Sequence, residues 1–230
     1  MHRYILITAI FWLAGQAAQA QLNFNNVLAI GERIKADSTL YPKIAERFTE
    51  GDTSLSLEDL QVLYYGSAFQ PDYDPYREAR IIEAADALSR RNKHYESMTL
   101  LDNFLKRNPA SLRALLDKAY LSWVINDSLH TEDNYNRYFQ LLQVPVQSGT
   151  GESYESAFIL RSEQDEELVL DKLGYVALRE SLVTNKGLNY HLVTAAEDDD
   201  LDKRKQFYFL IELPMRYGRQ KNVEKPSDGN

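Results

Sequence analysis

Hydrophobic residues recur at helical spacing from Phe24 to about Gln143. This spacing predicts a run of amphipathic helices. Ser56, with Asp59 three residues later, has the pattern of a helix N-cap with a capping box. Pro75 fits the first position of a later helix. The first apolar faces carry Val27, Leu28, Ile30 and Ile34, followed by Ile44, Ala45 and Phe48.

Two helices are predicted on either side of a turn at Arg90-Arg91-Asn92, and the second ends at Asn108-Pro109. A helix pair closed by proline is typical of tetratricopeptide repeats (TPR), in which small residues let the helices pack closely. Ala85 and Ser97 would occupy the small positions, although Phe104 replaces an expected alanine. Residues 112–143 could repeat the unit, so we predict an antiparallel helical array with TPR-like pairs.

The pattern changes after Pro145, where strands of alternating hydrophobicity are predicted. A short helix at 166–173 ends before Gly174, and Asn185-Lys186-Gly187 predicts a tight hairpin. The fold class is therefore α+β: a helical array followed by a small module of about four strands and one short helix. The strands are predicted at 157–160, 175–184, 188–194 and 207–211.

Four segments follow from these patterns: a signal peptide at 1–20, a helical TPR-like domain at 21–146, a small α+β module packed on it at 147–217, and a disordered tail at 218–230. The leader has one charge, Arg3, an apolar run to Leu13 that is too short to span a bilayer, and Ala18-Gln19-Ala20 before the predicted cut at Gln21. The alternative is a short helix that stays in the fold. We expect export, with a periplasmic or extracellular mature protein.

Charge and cysteine content limit the covalent links and the binding partners that we expect for this protein. The chain has no cysteine, so neither a disulfide nor a lipid-bearing cysteine after the cut can form. Its formal charge is −8, and removal of Arg3 with the leader lowers it to −9. An acidic protein repels phosphate backbones and anionic lipids, so we expect no nucleic-acid partner and no membrane anchor after cleavage. The oligomeric state is left open.

Catalytic and metal-binding motifs are not evident in the sequence. His94, His130 and His191 are far apart, and no Gly-x-Ser-x-Gly elbow occurs. Asp198-x-Asp200-x-Asp202 begins like a calcium loop, but Lys203 replaces its glycine. We therefore assign no catalytic, cofactor-binding or metal-binding residue. Acidic pairs such as Asp165-Glu166 could do glycosidase chemistry, but this requires two carboxyl groups that face each other across a cleft, and the sequence does not place them there.

Two groups of residues are candidates for a binding surface. The first, in a tyrosine-rich segment, would either wrap a helix corner with buried rings, the interpretation we prefer, or stack on a sugar or peptide. The second would face the concave side of the helical array, where Trp, Tyr and Arg are common interface anchors; its aromatic residues could instead be core. The candidates are Tyr65, Phe69, Tyr73 and Tyr76 in the first group, and Asp86, Arg90, Arg113, Tyr120 and Trp123 in the second.

Several local motifs occur in a distinctive order. Leu63-Tyr64-Tyr65-Gly66 leads into Phe69-Gln70-Pro71 and Tyr73-x-Pro75-Tyr76, and Ser148-Gly149-x-Gly151 precedes Ala157-Phe158. In this order the chain resembles a family of exported proteins from Bacteroides-type bacteria, the domain of unknown function 4919. The resemblance covers nearly all of the mature chain and implies no activity, substrate or cofactor.

The functional hypothesis is a non-catalytic module of the cell envelope that binds a protein or peptide through the helical array. The alternative is an envelope hydrolase or glycan-binding protein that uses carboxylates near the tyrosine-rich segment. That alternative requires Tyr73 or Tyr76 to line a pocket with two facing acids.

Overall fold

The computed structural model describes residues 22–224, so the predicted signal peptide lies outside the described residues. Seven helices precede the sheet in this part of the chain, and a 3₁₀ turn at Ser67–Phe69 follows the third. They are α1 (Phe24–Ala36), α2 (Leu40–Thr49), α3 (Leu57–Gly66), α4 (Pro75–Ser89), α5 (His94–Leu105), α6 (Leu112–Val124) and α7 (Ser128–Val146).

Several helix ends follow the signals in the sequence. Ser56 caps α3 in a capping box with Asp59, and Asp74 caps α4, which begins at Pro75. Between α4 and α5 the chain turns at Asn92, whose φ of 59° lies in the left-handed region that Asn tolerates. These local predictions are confirmed.

Helices α4 and α5 pack against each other as predicted for a helix pair. The Ser97 hydroxyl donates a hydrogen bond to the Ala85 carbonyl at 2.7 Å, and both small residues are buried between the helices. Helices α6 and α7 form the next contacting pair. The assignment of these pairs to the TPR class stays a prediction.

The C-terminal half is built on a four-stranded sheet with the order β1-β4-β3-β2. β1 is parallel to β4, and the other neighbours are antiparallel. β2 and β3 form the predicted hairpin, with Lys186 and Gly187 at positive φ in its turn. The elements are β1 (Phe158–Ile159), α8 (Asp165–Lys172), β2 (Tyr175–Asn185), β3 (Leu188–Glu197), β4 (Asp200–Leu210) and α9 (Glu212–Glu224).

Helix α9 differs from the sequence prediction. Residues 218–224, predicted to begin a disordered tail, continue this helix. Its N-terminal end is anchored because the buried Glu212 carboxylate pairs with Arg216 and Arg219 and accepts hydrogen bonds from Asn189. Polar composition alone had suggested disorder, and these long-range partners were not visible in the sequence.

One hydrophobic core crosses both halves of the molecule. It contains Val27 from α1, Leu141 from α7, Phe158 from β1 and Phe209 from β4, all almost fully buried. A smaller cluster lies among α4, α5 and α6. The helical array and the sheet therefore share a core. Among the described helices, none combines the length and apolar character that a membrane span requires.

Candidate functional site: an acidic cleft between the helices and the sheet

A cleft of about 830 Å³ separates α4 and α6 from α8 and β2. Its apolar surface comes from residues such as Ile82, Leu116 and Tyr175. Among the described residues that line the cleft, one is an arginine. This is Arg113, which pairs with Asp117 and Glu167. Seven lining residues carry carboxylates: Glu83, Asp86, Glu163, Glu166, Glu167, Asp171 and Glu180.

Local sequence explains how the acids reach this cleft. The first turn of α8 is Asp165-Glu166-Glu167, and acidic side chains are favourable there because the helix dipole is positive at its N-terminus. In the hairpin, Leu182 is opposite His191 and Glu180 is opposite Val193. Glu180 and His191 are therefore diagonal neighbours on one face of the sheet.

Glu166, Glu180 and His191 form a cluster at the wall of the cleft. His191 Nδ1 lies 3.0 Å from Glu166 Oε2 and 3.1 Å from Glu180 Oε1. Glu166 and His191 are buried, whereas the Glu180 side chain is 51% exposed. One imidazole nitrogen and two carboxylate oxygens can share a proton or hold a divalent metal ion, because all three are suitable ligand atoms.

The electrostatics of this cluster follow from burial and from proximity. Burial raises the pKa of Glu166, although the hydrogen bond and charge of His191 oppose the shift. Burial alone would lower the pKa of His191, but the hydrogen bond and charge of Glu166 raise it above 6.5, with Glu180 adding to the effect. The cluster thus favours a positive charge at the imidazole position.

A second polar network lies beneath the cleft and is closed to solvent. The Arg161 guanidinium donates to both carboxylate oxygens of Glu78, at 3.2 and 2.7 Å, and to the Ala110 carbonyl. Ser111 donates a further hydrogen bond to Glu78. Both side chains of the ion pair are only 2% exposed. Because Glu78 lies on α4 and Arg161 follows β1, the pair joins the helical array to the sheet.

Asp165 extends this network. Its Oδ2 accepts a hydrogen bond of 2.7 Å from the Tyr64 hydroxyl, which in turn accepts one from the Arg161 amide. Burial raises the pKa of Asp165 to about 7, with Arg161 opposing the shift. Within residues 22–224, three buried side-chain atoms have no hydrogen-bond partner: Arg161 Nε, Gln164 Oε1 and Asp165 Oδ1.

The tyrosine-rich segment is largely structural, as the preferred interpretation expected. Tyr65 and Tyr73 are buried and donate to the carbonyls of Ile159 and Arg161, so they cannot belong to a binding surface. Phe69 is half-buried, with its ring packed against Gly31 so closely that a Cβ there would lie 2.6 Å away. Tyr76 remains 42% exposed, beside Tyr217.

The predicted binding residues on the helical array, unlike Tyr65 and Tyr73, line pockets or lie at the surface. Asp86 and Arg113 line the acidic cleft, and together with Tyr120 they line an adjoining pocket of about 340 Å³. Arg90 is exposed and pairs with Asp86 at 2.7 Å. Tyr120 and Trp123 are 50% and 64% exposed, with ring centroids 6.0 Å apart, so the alternative that they are core residues is wrong.

Sequence reasoning missed Glu180 and the role of His191. The hairpin that carries both residues was predicted, but its three-residue turn would have paired Thr184 with Leu188. The structure pairs Asn185 with Leu188, and this difference of one residue in register puts Glu180 and His191 on one face. Glu166 reaches these two residues only through the tertiary packing of α8, which no pattern in the sequence indicated. The acidic turn at Asp198-Asp199 lies between β3 and β4, where Lys203 pairs with Glu197 and Asp200.

Comparison with known proteins supports the resemblance seen in the sequence. The family model described as a domain of unknown function (DUF4919) matches residues 29–219, which include the whole acidic cleft. No curated protein and no solved structure matches the chain. The protein therefore belongs to the DUF4919 family.

Proposed function

We propose that this protein is an exported, non-catalytic binding protein whose acidic cleft holds a basic segment of a protein or peptide. The charge of the cleft carries this proposal. Seven carboxylates and one arginine, Arg113, are among the described residues that line the cleft, so acids remain in excess after the pairs of Arg113 with Glu167 and of Arg90 with Asp86. Such a concentration of one sign attracts ligands of the opposite sign and repels acidic ones.

The apolar part of the cleft suits the same ligand. Lysine and arginine side chains have aliphatic stems that pack on apolar surface while their charged ends reach polar groups. Ile82 and Leu116 from the helices, with Leu168 and Tyr175 from the other wall, offer that surface between the carboxylates. A short extended peptide with alternate basic residues therefore matches the lining better than a neutral glycan does.

The alternative of a hydrolase or glycan-binding protein built on the tyrosine-rich segment has less support. It requires tyrosine rings at a pocket, and the Tyr65 and Tyr73 rings are buried with their hydroxyls bonded to backbone carbonyls. Tyr76 is the partly exposed tyrosine of the predicted group.

Peptide binding is tested by fluorescence anisotropy with labelled peptides rich in lysine and arginine, and with acidic peptides of equal length. Glu83→Gln, Glu167→Gln and Asp171→Asn together remove three exposed charges from the cleft. Exposed ion pairs each contribute about 0.2–1 kcal/mol, so we expect affinity for the basic peptide to fall by about tenfold. Higher salt should weaken binding further.

A matched control changes three exposed acids on α1 and at the C-terminal end of α2, neither of which lines the cleft: Glu32→Gln, Glu46→Gln and Glu50→Gln. We expect this control to bind the basic peptide within about twofold of the unmodified protein, because exposed charges outside the binding surface are screened by salt. Equal losses in both triple variants, or equal binding of acidic peptides, would contradict a specific role for the cleft.

Export is a separate part of the proposal and depends on the predicted leader. Expression of the full chain in a bacterium with the matching secretion machinery should release a protein that begins at Gln21, as determined by N-terminal sequencing. Replacing the small residue at the predicted cut, Ala20→Arg, should leave the leader attached. A full-length, intracellular product from the unmodified chain would refute export and leave the binding proposal intact.

A further inference from the structure

Three ligand-capable side chains converge from three different elements at the wall of the cleft. Glu166 comes from the first turn of α8, Glu180 from β2 and His191 from β3. Their ligand atoms all lie within 4.8 Å of one another. Two carboxylates and an imidazole are an established type of donor set for zinc and related ions.

The spacing of these atoms agrees with tetrahedral coordination. With metal–ligand bonds of about 2.0–2.2 Å, neighbouring ligand atoms in a tetrahedron are about 3.3–3.6 Å apart. His191 Nδ1 lies 3.0 and 3.1 Å from the two carboxylate oxygens, and all three ligand atoms lie within 4.8 Å of one another, so small side-chain shifts would admit an ion.

The hydrogen-bond geometry of the cluster also leaves an imbalance that a metal ion would remove. A single Nδ1–H lies within 3.1 Å of two carboxylate oxygens and has one hydrogen to donate. Two carboxylates therefore compete for one donor. A divalent cation in place of that proton would contact all three side chains and would balance the charge of both carboxylates with a neutral imidazole.

The surroundings favour a rigid site with access from solvent. His191 and Glu166 are almost fully buried, and the strand partners of the cluster, Val193 and Phe209, are completely buried. Glu180 is half-exposed and lines the cleft. Two ligands are thus fixed by packing, and the third lies at the rim, so a fourth coordination position would face the cleft.

We propose that Glu166, Glu180 and His191 bind one divalent transition-metal ion of the zinc class, with one coordination position open to the cleft. The imidazole nitrogen selects against calcium and magnesium, which prefer oxygen ligands. This proposal goes beyond the binding of a basic peptide, and it is tested with metal ions alone. Its failure would leave the peptide-binding proposal unaffected.

The experiment uses the purified, metal-stripped protein without a histidine tag. Zinc binding is measured by competition with a chromogenic chelator, and Co²⁺ is added separately to record the visible absorption of a tetrahedral site. We expect one equivalent of zinc per chain, a tetrahedral Co²⁺ spectrum, and no competition from calcium or magnesium. Zinc should also raise the Tm, because it binds the folded state.

Glu180→Gln is the informative variant, because the half-exposed side chain can change without disturbing the core. Its zinc affinity should fall by about 100-fold, since even changes next to metal ligands cost about 10–100-fold. The matched control is Glu46→Gln, which removes the same charge from an exposed position on α2 outside the cleft and should bind zinc within about threefold of the unmodified protein. Absence of stoichiometric zinc, or equal losses in both variants, would overturn the proposal.

Discussion

Asp165 and Glu166 are adjacent in the sequence and belong to two very different polar clusters. Asp165 turns inward to Tyr64, beside the ion pair of Arg161 and Glu78, where solvent is excluded. Glu166 turns to His191 and the half-exposed Glu180 at the wall of a cleft. The enclosed network and the cleft cluster therefore differ in access to solvent more than in chemistry.

This difference separates charges that are enclosed in the fold from charges that solvent or a ligand can reach. A buried ion pair recovers its large desolvation cost through good geometry and additional hydrogen bonds, and removing one partner leaves an uncompensated charge. The Arg161 guanidinium has three such bonds to Glu78 and Ala110. In the cleft, water or a ligand can replace a lost partner, so changes there should alter binding more than folding.

The largest expected effect is on the enclosed network. Arg161→Met should lower the free energy of unfolding by about 3–5 kcal/mol, because Glu78 would stay buried without its counter-charge. Guanidinium denaturation measures this. Changing both residues, Arg161→Met with Glu78→Met, should recover part of the loss. A single variant within about 1 kcal/mol of the unmodified protein would contradict the role assigned to the pair.

A smaller loss is expected when the hydrogen bond between Tyr64 and Asp165 is removed. Tyr64→Phe should lower the free energy of unfolding by about 1.5–3 kcal/mol, since the bond reaches a buried carboxyl group. Urea denaturation gives the value, and Tyr76→Phe, at a partly exposed ring, should change it by less than about 0.5 kcal/mol. Equal effects of the two substitutions would show that the buried hydrogen bond of Tyr64 stabilises the fold no more than a partly exposed hydroxyl does.

The pH dependence of stability distinguishes the same two clusters. Because the pKa of Asp165 is raised to about 7 from 3.8, its protonated form stabilises the folded state. That contribution is complete below about pH 4 and is lost as the pH rises through 7. Asp165→Asn should therefore reduce the fall in unfolding free energy between pH 5 and 8 by up to about 1.4 kcal/mol per pH unit.

The control for this pH experiment is Asp52→Asn. Hydrogen bonds from Ser54 lower the pKa of the half-buried Asp52 to about 2, so its contribution changes well below pH 5. The slope between pH 5 and 8 should match that of the unmodified protein. Some slope should also persist in Asp165→Asn, because the pKa values of Glu166 and His191 are raised too. An unchanged slope in Asp165→Asn would refute the assignment.

The smallest effect on stability is expected in the cleft cluster. In metal-free protein, Glu180→Gln should change the free energy of unfolding by less than about 0.5 kcal/mol, because its side chain is half-exposed and Glu166 still pairs with His191. Thermal and denaturant unfolding both test this. A loss as large as that of Arg161→Met would mean that the cleft cluster is structural.

Local features of the fold were predictable from sequence because they depend on neighbours along the chain. The capping box at Ser56 and the hairpin turn at Lys186 are examples. Helix α9 was missed because Glu212 finds its partner Asn189 through tertiary contact. The cleft was missed for the same reason, since α8 and β2 approach α4 and α6 only after folding.

The hydroxyls of the tyrosine-rich segment also constrain the order in which the protein can fold. Tyr64, Tyr65 and Tyr73 donate to Asp165, Ile159 and Arg161, which lie 101, 94 and 88 residues later in the chain. Contacts this far apart form late and slow the folding of a domain. During synthesis these three hydroxyls therefore find the partners they have in the fold only after residues 159–165 have been made, so the bonds that join the helical array to the segment after β1 complete late.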